Sequence, residues 1–216
     1  LWRALARPLR DDDQQPSAGD ELILYQAMLG SWPLDLNADD QPALQAYAER
    51  LWHWQRKALR EAKLQSSWSA PNDACEQAVE TFIQRLLLSP QGNFLRTALG
   101  KAVHAIAVPG ALNGLAQTLL RMTVPGVPDL YQGAEFWDFS LVDPDNRRPV
   151  DYASRQQALQ QAVNLPDLLA NWRDGRIKQT LIAQTLNVRT EHAELFRRGT
   201  YQALEVVGSQ AHRDRK

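Results

Sequence analysis

The chain has 216 residues, 44% of them hydrophobic and 23% charged, which is enough apolar material for a packed unit and excludes intrinsic disorder for most of its length. Lys+Arg 24 against Asp+Glu 25 leaves a formal charge of −1, so no global field favours nucleic acid or an anionic membrane. Cys75 is the sole cysteine, no internal disulfide is possible, and no Cys/His cluster has zinc-ligand spacing; these features point to a reduced, metal-free, cofactor-free cytoplasmic protein.

Leu1-Trp2-Arg3-Ala4 has neither an initiator Met nor an apolar signal region, so a piece of a longer chain is expected. Residues 1–18 combine Arg3, Arg7 and Arg10 with Asp11-Asp12-Asp13 and Gln14-Gln15-Pro16-Ser17, and read as a linker. From Asp20 the positions Leu22, Tyr25, Gln26 and Leu29 recur helically until Gly30 and Pro33. Pro42 suits the first turn of a long helix carrying Leu44, Tyr47, Ala48, Leu51, Trp52, Leu59 and Ala62. On it, Trp52 and Trp54 fall on different sides, so at most one is expected to face the core. Asp73 with Glu76 reads as a capping box opening a third helix that stops before Pro90. Within its first turn, Cys75 is expected to have a lowered pKa.

Phe94–Val108 and Ala111–Met122 read as two helices separated by Pro109-Gly110, the second nearly uncharged and therefore expected to be buried on most sides. Val127–Tyr131 suits one buried strand, and 134–152 is loop-like around Asp143-Pro-Asp-Asn-Arg-Arg-Pro149. Further helices are expected near 154–163, 166–172 and 175–193. A β-like run, Tyr201–Val207, follows within a final segment 196–216. The longest apolar runs, such as Leu86-Leu87-Leu88, fall far short of a membrane span.

Carboxylates cluster between Asp129 and Asp151, with Glu135, Asp138, Asp143 and Asp145 between them, beside Arg147, Arg148, Trp137 and Tyr131. Glycoside chemistry needs paired carboxylates, but Asp-Pro-Asp-Asn is also ordinary turn chemistry. Lys63, Ser67 and Trp68 sit at a helix end from which a cation and an indole can reach a saccharide, although core packing is the commoner role of a Trp. His53, His104, His192 and His212 share no motif, and Gly126 and Gly133 form no phosphate-binding fingerprint.

Val124-Pro-Gly-Val-Pro-Asp-Leu-Tyr-Gln-Gly-Ala-Glu135 followed by Asp143–Pro149 resembles the last-strand region of α-amylase-superfamily barrels. The stretches Glu21–Pro33, Lys57–Lys63 with Ser67-Trp68, and Phe136–Asp151 narrow this to a resemblance to the maltooligosyltrehalose synthase family. Those enzymes are isomerases that convert the reducing-end linkage of a maltooligosaccharide into a trehalose linkage. The resemblance runs over about residues 20–207.

It implies a mainly α fold: the C-terminal part of a (β/α) barrel of the α-amylase type over 19–195, with the start of a terminal β domain over 196–216. None of the superfamily's three catalytic-acid motifs occurs here, so the resemblance implies no catalytic residue in this chain, no metal, and a missing N-terminal part of the same enzyme as its partner. Asp143 and Arg147 occupy the positions of the superfamily's sugar-binding Asp-Pro-x-Asn-Arg pattern, where a carboxylate accepts from vicinal hydroxyls and a guanidinium donates in a fixed fork. Their bland alternative is a salt bridge within the loop. Asn146, Arg148, Trp137, Lys63 and Trp68 are further candidates for maltooligosaccharide binding. The rival readings are a piece of another α-glucan hydrolase or transglycosidase, and a non-catalytic helical interaction module.

Overall fold

A computed structural model describes residues 2–10, 15–37, 40–162 and 164–204. Among these the regular structure is helical: α1 (Trp2–Leu5), α2 (Ala18–Ser31), α3 (Gln41–Ala62), α4 (Asp73–Leu88), α5 (Asn93–Thr123), α6 (Tyr152–Gln160), α7 (Leu165–Ala170), α8 (Arg176–Glu191) and α9 (Ala193–Arg198). Short 3₁₀ turns stand at Arg7–Leu9, Pro90–Gly92, Asp145–Arg147 and Trp172–Asp174.

The helix starts follow capping chemistry. Ser17, Asp40 and Asn72 each accept a hydrogen bond from a backbone N–H three residues on, satisfying a donor that the helix leaves without a partner. At α4 the cap is Asn72 and not the expected Asp73. Glu76, expected to reach back in a capping box, turns instead to Arg60 of α3. Helix α3 ends at Lys63 in the left-handed conformation, φ 57°.

One core joins α2, α3, α4 and the first third of α5 through Leu24, Met28, Leu44, Tyr47, Leu51, Val79, Phe82, Ile83, Leu86, Leu95 and Leu99. Tyr47 buries its ring yet keeps its hydroxyl satisfied by Ser31 Oγ at 2.9 Å, as a buried phenol requires. Arg96, also buried, donates to the carbonyls of Leu86 and Leu87 at the end of α4, stitching α5 to its neighbour. Trp52 and Trp54 both pack partly against this core, since an intermediate position on a broad apolar stripe still reaches it.

Five expectations change. Residues 2–10 are not a linker: they form α1 and a 3₁₀ turn, with Ala6 and Leu9 buried in the core, while the acidic triplet at 11–13 lies outside the described residues. The two helices around Pro109-Gly110 are one continuous helix, α5, with Pro109 inside it. Its second half is not buried: Leu112 is 61% and Leu120 59% exposed. Val127–Tyr131 is an irregular segment, not a buried strand, and Val127 is 95% exposed; a strand needs a neighbour for its backbone groups, and the described residues offer none. Residues 201–204 are likewise irregular and exposed, and the remainder of the expected terminal β segment, 205–216, lies outside the described residues.

Candidate sugar-binding loop and apolar cavity

Helix α3 presents Arg50 and Lys57 seven residues apart, two turns along one face. Both reach the loop that follows Phe136. Arg50 forms a fork on Asp145, Nε to Oδ1 at 3.0 Å and the terminal nitrogen to Oδ2 at 2.9 Å, and also donates to the Phe139 carbonyl at 2.8 Å. The Leu141 N–H donates to the same Asp145 carboxylate at 2.7 Å, and Arg148 lies 2.9 Å from its other oxygen. Burial alone would raise the Asp145 pKa; the Arg50 hydrogen bonds and the Leu141 amide outweigh it and hold the carboxyl below its ordinary range. Asp145 is therefore the loop's anchor, with its side chain 8% exposed.

Asp143 differs. Lys57 Nζ donates to its carbonyl at 2.8 Å and stands 3.5 Å from its carboxylate, while Arg147 pairs with it from within the loop. The salt bridge weighed as the bland alternative is thus present. Asp143 Oδ1 is enclosed beside the Arg147 guanidinium, yet the Asp143 side chain is 42% and that of Arg147 72% exposed, so a hydroxylated ligand can meet the outer part of the pair without displacing core atoms. Asn146 sits between them with Oδ1 enclosed and without a donor among the described residues. Arg148 is committed to Asp145 and to its carbonyl, which makes it a shaping residue of the turn.

The upstream end of the loop is tied elsewhere. Arg155 of α6 donates to the Gly133 carbonyl at 2.7 Å and to Glu135 at 3.2 Å, and lies 4.7 Å over the Phe136 ring. Trp137 donates its indole N–H to the Trp172 carbonyl at 2.6 Å and meets that ring edge to face. Both indoles line a cavity of ≈ 380 Å³ together with Trp32, Leu34, Val103 and Phe139. Lys178 enters the same cavity, donating to the Phe136 carbonyl at 3.2 Å. Burial, then the Arg121 charge, push its ammonium below the usual lysine range.

The sequence candidates therefore fall into three places. Asp143, Asn146, Arg147 and Arg148 share the loop on α3, and Trp137 belongs to the cavity beside α5 and α8. Lys63 and Trp68 lie beyond the end of α3, with Trp68 58% exposed under the Arg60 guanidinium; neither packs in the core, and no hydrogen bond or ring contact joins them to the loop among the described residues. Cys75 carries a raised thiol pKa, the reverse of the expectation, because burial and then the Asp20 and Glu76 charges outweigh its helix-start position. Arg50, Lys57, Arg155 and Lys178 are the residues that sequence reasoning left without a role. The seven-residue step from Arg50 to Lys57 was the available signal.

No family model matches the chain. A protein of Mycobacterium tuberculosis, described in two strains as a maltooligosyl trehalose synthase, is 39% identical over 213 residues, 98% of this chain and 25% of that protein. A crystal structure of a maltooligosyl trehalose synthase superposes with TM-score 0.76 at 27% identity, over 95% of this chain and 26% of the other. The maltooligosyltrehalose synthase of Arthrobacter ramosus does so with TM-score 0.72 at 32% identity, over 97% of this chain and 25% of its own. Along nearly all of its length the chain is related, in sequence and in backbone, to about a quarter of a maltooligosyltrehalose synthase.

Proposed function

We propose that the chain is part of an enzyme that isomerises maltooligosaccharides to maltooligosyltrehaloses by intramolecular transfer of the reducing-end glucose, and that it supplies binding surface and no catalytic acid. The observation that carries this reading is the relationship to such synthases over 98% of the chain. In a retaining mechanism of this type, the glycosyl-enzyme intermediate is captured by the anomeric hydroxyl of the released glucose instead of by water, so the released sugar must be held and solvent kept out.

The chain offers residues for the first task. Asp143 accepts from adjacent sugar hydroxyls while Arg147 donates to a third oxygen, and Arg50 through Asp145 keeps the loop that carries them in place. The Lys57 ammonium, 3.5 Å from the Asp143 carboxylate and bonded to its carbonyl, holds this residue to α3.

The test is incubation of the full-length enzyme with maltopentaose. A non-reducing product of equal mass is expected, and shorter reducing sugars would instead identify a hydrolase. The 216-residue chain by itself is expected to turn over nothing, and product from it would overturn the assignment of the catalytic acids to other parts of the enzyme.

A further inference from the structure

Helix α5 carries two apolar stripes. One, through Val103, Ala107, Gly114, Thr118 and Met122, faces α8 and the cavity. The other, through Ala105, Val108, Leu112, Ala116 and Leu119, repeats at three- and four-residue steps on the opposite side and is exposed, with Val108 at 50%, Leu112 at 61% and Leu119 at 40%. No Lys, Arg, Asp or Glu interrupts the helix between Lys101 and Arg121. A solvated helix face carries charge, and a helix that is apolar all round is a buried one.

The irregular segment beyond it continues the exposure through Val124 at 45% and Val127 at 95%. A contiguous apolar surface of this kind marks a contact.

We propose that the outer stripe of α5, together with Val124 and Val127, is the seat of the part of the enzyme that lies outside these 216 residues. The proposal rests on the preceding reading that the chain belongs to a longer synthase. Two observations select this occupant. The solved relatives reproduce 95% and 97% of this chain inside polypeptides about four times as long, so the same helical arrangement exists with a large body of protein beside it. The stripe is also uncharged, so what covers it is an apolar surface and not an acidic or basic one.

A bilayer is the rival occupant, because α5 with its preceding turn, Pro90–Thr123, is long and apolar enough to cross one. Against a bilayer stand Asn113 and Gln117, exposed on this half of the helix, and the inner stripe already packed on α8.

The experiment uses the full-length enzyme with its native cysteines replaced and single thiols introduced by Val108→Cys, Leu112→Cys and Leu119→Cys, with Glu49→Cys on the charged face of α3 as the exposed reference. With the native melting transition retained, a bulky maleimide is expected to label the three stripe positions more than about tenfold slower than position 49, as for sites that open only by local unfolding. Labelling at the reference rate would overturn the proposal. So would protection that disappears on dilution to a monomer, which assigns the stripe to a second copy, or flotation of the enzyme with phosphatidylcholine vesicles, which assigns it to lipid. A second variant, Leu112→Glu, is expected to lower the melting temperature of the full-length enzyme; an unchanged value would show a solvated face. Maltopentaose conversion, measured alongside, tests the parent reading separately: protection without isomerisation leaves this contact standing and removes the activity.

Discussion

At the scale of single residues, neighbouring carboxylates of one turn do different work. Asp145 is enclosed and triply hydrogen-bonded, whereas Asp143, two residues earlier, keeps its side chain partly exposed beside two cations. Asp143→Ala or Arg147→Ala in the full-length enzyme is expected to lower kcat/KM by roughly 10- to 100-fold, the loss of charge-assisted hydrogen bonds worth about 1.5–3 kcal/mol each, with the melting temperature nearly unchanged. Unaltered kinetics would leave the pair as a loop salt bridge only. Asp145→Asn is expected to destabilise the fold by about 2 kcal/mol at pH 7, read as a lower urea midpoint.

Because the folded Asp145 carboxyl lies below its unfolded value of about 3.9, its contribution is complete above that pH and is lost as the pH falls through the folded value. The gap between wild type and Asp145→Asn should therefore narrow below about pH 4. Asp143 and Arg147 were legible in the sequence because the motif that holds them is local. Their supports were not: Arg50 is 95 residues from Asp145 and Lys57 is 86 from Asp143, and no local pattern reports such a meeting.

At the scale of elements, periodicity located α2, α3, α4 and α8 within a few residues, since each buries a stripe with helical spacing. Where the reading missed, punctuation was at fault. Pro109-Gly110 looks like a stop, yet a proline inside a long helix removes one backbone bond and kinks rather than ends it, and the helix runs on to Thr123. At α4 the cap lies one residue before the expected one, and this has a measurable consequence. Asn72→Ala is expected to cost about 1 kcal/mol of unfolding free energy, whereas Asp73→Ala, whose side chain caps nothing, should cost much less. Equal losses in urea titrations would contradict the Asn72 Oδ1 contact with the Cys75 N–H.

At the scale of the whole molecule, burial is uneven. Among the described residues the core draws on Ala6, Leu9, α2 with Trp32, α3, α4 and the start of α5, reaching past Val103 only at Leu141, while α6 and α9 contain no buried residue and α7 only Leu168. Hydrogen exchange of the isolated chain is therefore expected to be slowest in α3 and α4 and faster in α6, α7 and α9, because local opening requires less where few apolar contacts are lost. Uniform protection would refute this gradient. Composition, which counts apolar residues without regard to where they gather, was blind to it.

The two cations of α3 also set a limit on how the chain can vary in length. Removing or adding one residue between Arg50 and Lys57 would swing one of them by about 100° around the helix, so that a single face no longer reached both Asp145 and Asp143. In this part of the molecule the helix behaves as the ruler against which the loop is set, so insertions and deletions should be rejected at 51–56.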